Sequence, residues 1–375
     1  MEYKKIKEIN EYKSESINPM KTPDTMYELY SVPFFTTGHP EYLHGSEIGS
    51  SKVTVQKNDI LVCKINPRIN RVWVVADESN YQSIASSEWI VVRTAQHNPY
   101  FLAWYFRTPM FQQLMTSEVT GIGGSLTRAQ PKRVAEYPVP VLSREKQDKI
   151  VSILDRLESI KRERKSELDL LDSLVKARFV EMFGHMSVDT TVSDVCSIIT
   201  DGTHQPPKFK NEGIPFLFVS NIADNKLTYD TEKFIDEATY NELIKRTPIE
   251  VGDVLLSTVG SYGHPAVVEN KKRFLFQRHI AYLKPNHKKV GSYYLYASLL
   301  SDSVQYQIDT HVKGIAQKTL NLKEIKNLKI PLPSLDEQKM FTVFFREVNK
   351  SKSVIQKSLD EMQILFQSLM QEYFG

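Results

Sequence analysis

Residues 140–184 and 331–375 carry one segment written twice. At a constant offset of 191 and without a gap, ten of 45 positions are identical: Pro140/Pro331, Ser143/Ser334, Gln147/Gln338, Lys161/Lys352, Leu168/Leu359, Asp169/Asp360, Leu174/Leu365, Glu181/Glu372, Phe183/Phe374 and Gly184/Gly375. An internal repeat constrains architecture before any motif does, because both copies must build the same element.

The apolar spacing names that element. In the second copy Phe341, Phe345, Val348, Lys352, Ile355, Leu359, Met362, Phe366, Leu369 and Tyr373 follow steps of four and three throughout. The matching positions in the first are Ile150, Leu154, Leu157, Lys161, Arg164, Leu168, Leu171, Val175, Arg178 and Met182. A sustained period of 3.5 residues marks a coiled-coil seam. Both copies place a lysine at one seam position, Lys161 and Lys352, and the stretch 161–167 has no apolar residue. Roughly 39 residues of helix span about 58 Å at 1.5 Å per residue. Ser334 with Glu337 forms a capping box after Pro331 and Pro333. Ser143 with Glu145 starts the first helix after Pro138 and Pro140.

The regions before the helices also echo each other. Asn58-Asp59-Ile60-Leu61-Val62 is similar to Gly252-Asp253-Val254-Leu255-Leu256, a turn feeding an apolar strand. Residues 100–114 and 293–308 read as short amphipathic helices rich in aromatics, each leading to a Gly-Ile pair (Gly121-Ile122, Gly314-Ile315). The expected plan is globular–helix–globular–helix, divided at 1–139, 140–184, 185–330 and 331–375. The fold class is α+β, two α/β globules separated by two long antiparallel coiled-coil helices in a pseudo-two-fold repeat.

Charge is nearly balanced, with 48 Lys and Arg against 45 Asp and Glu; the four segments carry +1, +1, +2 and −1. Neither helix is basic. The globules instead hold acid-free windows: 270–301 with Lys271, Lys272, Arg273, Arg278, Lys284, Lys288 and Lys289, and 311–323 with Lys313, Lys318 and Lys323. The first half offers Lys64, Arg68 and Arg71, then Arg128, Lys132 and Arg133. Such groups contact phosphates, and the interspersed Asn66, Asn70, Gln277 and Gln317 suit base edges. The candidate DNA-binding set is Lys64, Arg68, Arg71, Arg128, Lys132, Lys271, Lys272, Arg273, Arg278, Lys313, Gln317 and Lys318.

No enzyme motif is complete. The stretch from Gly121 to Ser125 lacks the lysine of a phosphate loop and the third glycine of a dinucleotide fingerprint. Asn98-Pro99-Tyr100 and Gln205-Pro206-Pro207 are each half of an amino-methyltransferase motif. Nine histidines are dispersed, Pro23-Asp24 has no nuclease partner, and Asp201-Gly202 is turn chemistry. No catalytic residue or metal site is expected. Cys63 and Cys196 build no disulfide framework, and no run has the ~18–20 apolar residues of a membrane span. A cytoplasmic location is the expectation.

The duplicated order of these features resembles the specificity subunit of type I restriction-modification systems, the HsdS family. VSDVCSIITDGTHQPPKF (192–209), GDVLL (252–256), KGIAQKTLNLKEIKNLKIPLP (313–333) and the helix openings with Gln147 and Gln338 carry the resemblance, which covers essentially the whole chain. Residues 27–51 match the second half poorly. The resemblance implies two target-recognition domains, each reading half of a split site on double-stranded DNA, in a complex that defends against foreign DNA. It implies docking to two methyltransferase subunits and, through them, to restriction subunits. S-adenosylmethionine, ATP and Mg would act only on those partners, and this chain would perform no chemistry. Two other readings stay open: a coiled-coil scaffold binding only proteins, and a self-sufficient nuclease or methyltransferase with a disguised site.

Overall fold

The structure is a computed structural model that describes residues 2–76, 79–117, 119–120, 127–314 and 318–375. Its contacts form two compact units. Unit 1 is Met1–Arg164 with Ser358–Gly375, and unit 2 is Lys165–Lys357. Two 40-residue helices, the central helix Arg144–Phe183 and the C-terminal helix Leu335–Phe374, are each shared between the units.

In unit 1 the apolar strand Ile60–Cys63 is the middle of an antiparallel three-stranded sheet with Val72–Val74 and Trp89–Val92. A second sheet runs in the order Ser16–Ile17, Lys52–Thr54, Gln82–Ala85, Met26–Tyr30, Glu41–His44, with Met26–Tyr30 parallel to Gln82–Ala85. The N-terminal strand Glu2–Lys5 pairs with Pro138–Val141, the strand that feeds the central helix. In unit 2 the corresponding apolar strand Val254–Ser257 lies between Pro265–Val267 and Ile280–Pro285, with Cys196–Asp201 added outside. Ile214–Leu217 is parallel to Leu275–Phe276 and antiparallel to Phe234–Ile235. Thr190–Thr191 pairs with Lys329–Ile330, just before the C-terminal helix.

These pairings give residues 27–51 their counterpart. Met26–Tyr30 and Glu41–His44 hold the topological places of Ile214–Leu217 and Phe234–Ile235. Strands of two to five residues exchange freely in sequence as long as their inward positions stay apolar, so the likeness is visible in pairing and not in residues.

The aromatic helices differ from expectation. The segment 100–114 is two helices, Pro99–Phe106 and Pro109–Ser117, and 293–308 is also two, Ser292–Leu300 and Asp302–His311. Pro109 disfavours α geometry at the residue before it, and the Ser301 hydroxyl caps the second helix of unit 2 by accepting from Val304 N. Pro99–Phe106 is not amphipathic: Phe101, Leu102, Ala103, Trp104, Tyr105 and Phe106 are all buried. It packs on the three-stranded sheet on one side, while Phe101 lies 5.4 Å from Phe374 and Trp104 5.6 Å from Phe366 on the other. A helix enclosed on all sides is apolar on all sides.

The ten seam positions named for each long helix are all buried or half-buried. In unit 1 Lys161 Nζ stands 4.6 Å over the Phe366 ring, and Ile150, Leu154 and Phe374 share one core. In unit 2 Lys352 is ion-paired to Asp172, Arg178 lies over Phe344 at 6.0 Å, and Phe179 and Phe183 pack edge-on to Phe341 at 5.6 and 5.8 Å. Burying a Phe, Val or Ile here contributes about 1.5–3 kcal/mol each.

Candidate nucleic-acid interface

The apolar strand of each unit starts at an aspartate that accepts from the backbone N–H three residues earlier, and ends in the same backbone hydrogen bonds. At its start, Asn58 (φ 70°) and Gly252 (φ 98°) adopt the left-handed conformation that those residue types tolerate. The next residue is a buried aspartate in both units. Asp59 accepts from Gln56 N at 2.9 Å and from Arg93 through two bonds of 2.7 Å. Asp253 accepts from Glu250 N and from the Tyr282 hydroxyl, both at 2.7 Å. Burial, helped by Asp253, pushes the Tyr282 phenol well above its usual range.

At the far end the strand runs into a junction of three loops. In unit 1 Lys64 N donates to Glu88 O (3.0 Å), Ala129 N to Lys64 O (2.9 Å) and Asn66 N to Thr127 O (2.8 Å). In unit 2 Thr258 N donates to His279 O (2.9 Å), Leu320 N to Thr258 O (2.8 Å) and Gly260 N to Lys318 O (3.1 Å). The junction is therefore built twice, with the left-handed residue again Asn in one copy and Gly in the other: Asn66 (φ 47°) and Gly260 (φ 73°).

Basic side chains collect at both junctions. In unit 1 Lys64 Nζ donates to Ser87 O at 2.6 Å, and Arg128 grips Glu88 through two bonds of 3.2 Å. That bond to Glu88 holds the Arg128 guanidinium above its ordinary pKa. Arg68 is exposed, while half-buried Arg71 approaches the Cys63 thiol at 3.9 Å. Lys132 is exposed on the short helix Pro131–Val134 beyond the junction. In unit 2 Arg278, Lys313 and Lys318 are exposed at the junction, with Lys318 Nζ 5.8 Å over the Tyr262 ring. Gln317 and Ile315, like residues 121–126, lie outside the described residues.

Lys271, Lys272 and Arg273 are elsewhere. Val254 pairs with Val267 and Ser257 with Ile280, so the loop after Val267 sits at the opposite end of the strand from the junction. The three line a cavity of about 290 Å³ with Tyr240, Ile249 and Phe274. The window 270–301 is also not acid-free in space, because other segments supply the acids. Arg273 bonds Glu237 at 2.6 Å and Lys284 bonds Glu250 at 2.7 Å. Lys272 caps the Tyr229 ring at 4.6 Å.

One group escaped the sequence reading. Asp201 accepts from Arg246 and lies 3.0 Å from His204 Nε2, which Arg246 also approaches at 3.1 Å. Gly202 is more than a turn residue: a Cβ there would overlap the carbonyl oxygens of Phe276 and Gln277. The Asp201–His204 loop thus lies directly against the loop that carries Arg278. The signal was the run DGTH itself, but Arg246 is 45 residues away. Among the described residues no group of three His, Cys, Asp or Glu side chains is placed to hold a metal, and no helix is long and apolar enough to cross a membrane.

Comparison with known proteins agrees with this doubled plan. The model of the type I restriction modification DNA specificity domain matches residues 1–170 and again 188–361. The chain is similar to the type I restriction enzyme EcoBI specificity subunit of Escherichia coli, 27% identical over 177 residues, covering 46% of this chain and 37% of that protein. It is similar to the MjaVIII specificity subunit of Methanocaldococcus jannaschii at 19% identity, over 92% of this chain and 86% of that one. Its match to the first of these spans less than half of that relative's length. In fold it is similar to the S subunit of the type I restriction-modification system of M. genitalium (TM-score 0.59, 13% identity, 100% and 96% coverage). It is also similar to a chain solved to explain complex assembly and conformational transition of the type I R-M system (TM-score 0.60, 20% identity, 100% and 97% coverage). With two copies of the specificity domain spanning most of its length, the chain belongs to the type I restriction-modification DNA specificity family.

Proposed function

We propose that the chain is the non-catalytic sequence-specificity subunit of a type I restriction-modification complex, reading a bipartite site on duplex DNA. The observation that carries this is the three-loop junction, built by the same backbone bonds in both units and surrounded in each by cations: Lys64, Arg68, Arg71 and Arg128 in one, Arg278, Lys313 and Lys318 in the other. Each junction reads one half-site, and the base pairs between half-sites are of any sequence.

The order of contacts inside each unit supports an antiparallel coiled coil, since residues later in the central helix meet residues earlier in the C-terminal one. A helix of this length rises about 60 Å. Half-sites on one face of B-DNA lie about 34–36 Å apart per turn, within reach of such a spacer. Away from the seam, Met340, Val343 and Val354 of unit 2 are more than 60% exposed, as is Ile364 of unit 1. Exposed apolar side chains of this kind suit docking of the two methyltransferase subunits, which in turn bring the restriction subunits.

The test is binding of the purified chain, alone and with its methyltransferase partners, to duplex DNA across a salt series. A linear fall of log K with log salt, with a slope worth several phosphates, is expected. A salt-independent or absent affinity would favour a protein-only scaffold, and turnover by the chain without partners would contradict the non-catalytic role.

A further inference from the structure

Unit 2 contains five arginines, and four are engaged by an acid or a ring. Arg178 bonds Glu181 at 2.7 Å, Arg246 bonds Asp201, Arg273 bonds Glu237 at 2.6 Å, and Arg346 lies 5.0 Å over the Tyr293 ring. Arg278 is exposed and has no carboxylate partner among the described residues; its Nε donates to Nε2 of the adjacent His279 at 3.4 Å. Burial, and then the Arg278 charge, hold His279 below its ordinary pKa of 6.5, which leaves its ring neutral and able to accept.

The backbone beneath Arg278 is fixed from every side. Arg278 N donates to Thr203 O at 3.0 Å, Gln277 N to Leu217 O at 3.1 Å and Ile280 N to Gln277 O at 3.1 Å. Thr258 N donates to His279 O at 2.9 Å, tying the turn to the junction, and Gly202 packs against it with no room for a side chain. A guanidinium with no carboxylate partner among the described residues, steadied at Nε by His279 on a fixed turn, is a preorganised fork: little ordering remains to be done when it meets a planar pair of acceptors. Flexible lysines such as Lys313 and Lys318 suffice for phosphates and need no such mount. In unit 1 the equivalent turn carries Ser87 and Glu88 and no cation of its own, since the guanidinium there comes from Arg128 on another segment.

We propose that Arg278 is a base-reading residue, donating through two N–H groups to O6 and N7 of a guanine in the major groove of the half-site bound by unit 2. Arginine and guanine match in this fork geometry, and guanine alone presents two acceptors side by side on that edge. The inference rests on the reading of the chain as a DNA-specificity subunit. One bidentate contact of this kind discriminates against other base pairs by roughly 5- to 150-fold.

The experiment uses the chain assembled with its methyltransferase partners on a library of random duplexes, with methylated adenines mapped for wild type, Arg278→Gln and Arg278→Lys. Arg278→Gln is expected to relax one G·C position in one half-site, by roughly 5- to 150-fold, and to leave the other half-site unchanged. Arg278→Lys should retain part of the preference. Equal weakening on all sequences, with a salt slope lower by about one, would make Arg278 a phosphate contact and overturn the inference. Unchanged specificity would overturn it too. A wild-type complex with no sequence preference would instead remove the DNA-specificity reading itself. Arg278 is exposed and bonds no acid among the described residues, so both variants should melt with the wild type.

Discussion

Gln338, on the first turn of the C-terminal helix, accepts through its Oε1 from the backbone N–H of Gly291 at 2.8 Å. Its Nε2 donates to Pro333 O and Lys289 O, both at 3.0 Å. Gln147 does the same in unit 1, accepting from Asn98 N at 2.7 Å and donating to Leu142 O at 2.8 Å. Gly291 and Asn98 are the N-caps of the aromatic helices, so each glutamine fastens a globular unit to the start of its own long helix. Both are almost fully buried, at 2% and 1% exposure.

Gln338→Leu keeps the volume and strands the Gly291 N–H. One buried donor without a partner costs about 1–3 kcal/mol, and the two released carbonyls add to it. Urea unfolding should show a loss of about 2–4 kcal/mol, with faster hydrogen exchange at Gly291. Unchanged exchange there would show that the glutamine is not the fastening.

Gly202→Ala tests how tightly the turn that carries Arg278 is seated. Its new Cβ overlaps two carbonyl oxygens of the neighbouring strand end, and backbone must move to admit it. A loss of about 1–3 kcal/mol is expected, with DNA affinity falling more than in a variant of equal stability altered far from the junction. Wild-type stability would mean that the two loops are not in contact.

Lys161 and Lys352 show what the sequence could convey and what it could not. Their shared seam position was legible from the repeat, yet one stacks on Phe366 and the other pairs with Asp172, because Phe366 and Asp172 come from the opposite helix. The pairing of Gln147 with Gln338 and of Asp59 with Asp253 was visible as identity, but their bonding was not. The window 270–301 is acid-free along the chain but not in space for the same reason: Glu237 and Glu250 reach into it from outside. Periodicity and turn residues are local and survive in one dimension, whereas the partner of a charge is set by packing.

Lys352→Leu should raise the melting temperature slightly. Asp172 is 59% exposed, and an ion pair that open contributes about 0.2–1 kcal/mol. A leucine at the half-buried seam position regains about as much or more through its methyls, at about 0.8 kcal/mol per buried CH₂. A rise of about 1–2 °C in a thermal melt is expected. A fall would show that the Lys352–Asp172 contact outweighs seam packing.

Acid should loosen the start of the C-terminal helix. Glu337 accepts from the Ser334 hydroxyl at 2.7 Å and the Ser334 N–H at 2.9 Å, and these bonds, the hydroxyl first, hold its carboxyl below the usual 4.5. A depressed folded pKa gives a contribution that is complete above the unfolded value and lost as pH falls through the folded one. Hydrogen exchange in residues 335–340 should therefore accelerate in wild type as pH drops below about 4.5, after correction for intrinsic rates. Glu337→Gln, which cannot titrate, should show no such step; an equal step in both would assign it to another group.

The central claim is that the two units are separate readers of one DNA site. Replacing residues 185–330 by the matching segment of a family member with a different target, and mapping modified adenines in DNA treated with the full methyltransferase complex, tests it directly. The account predicts that one half of the recognised site changes while the other half is retained. A change in both halves, or in neither, would contradict it.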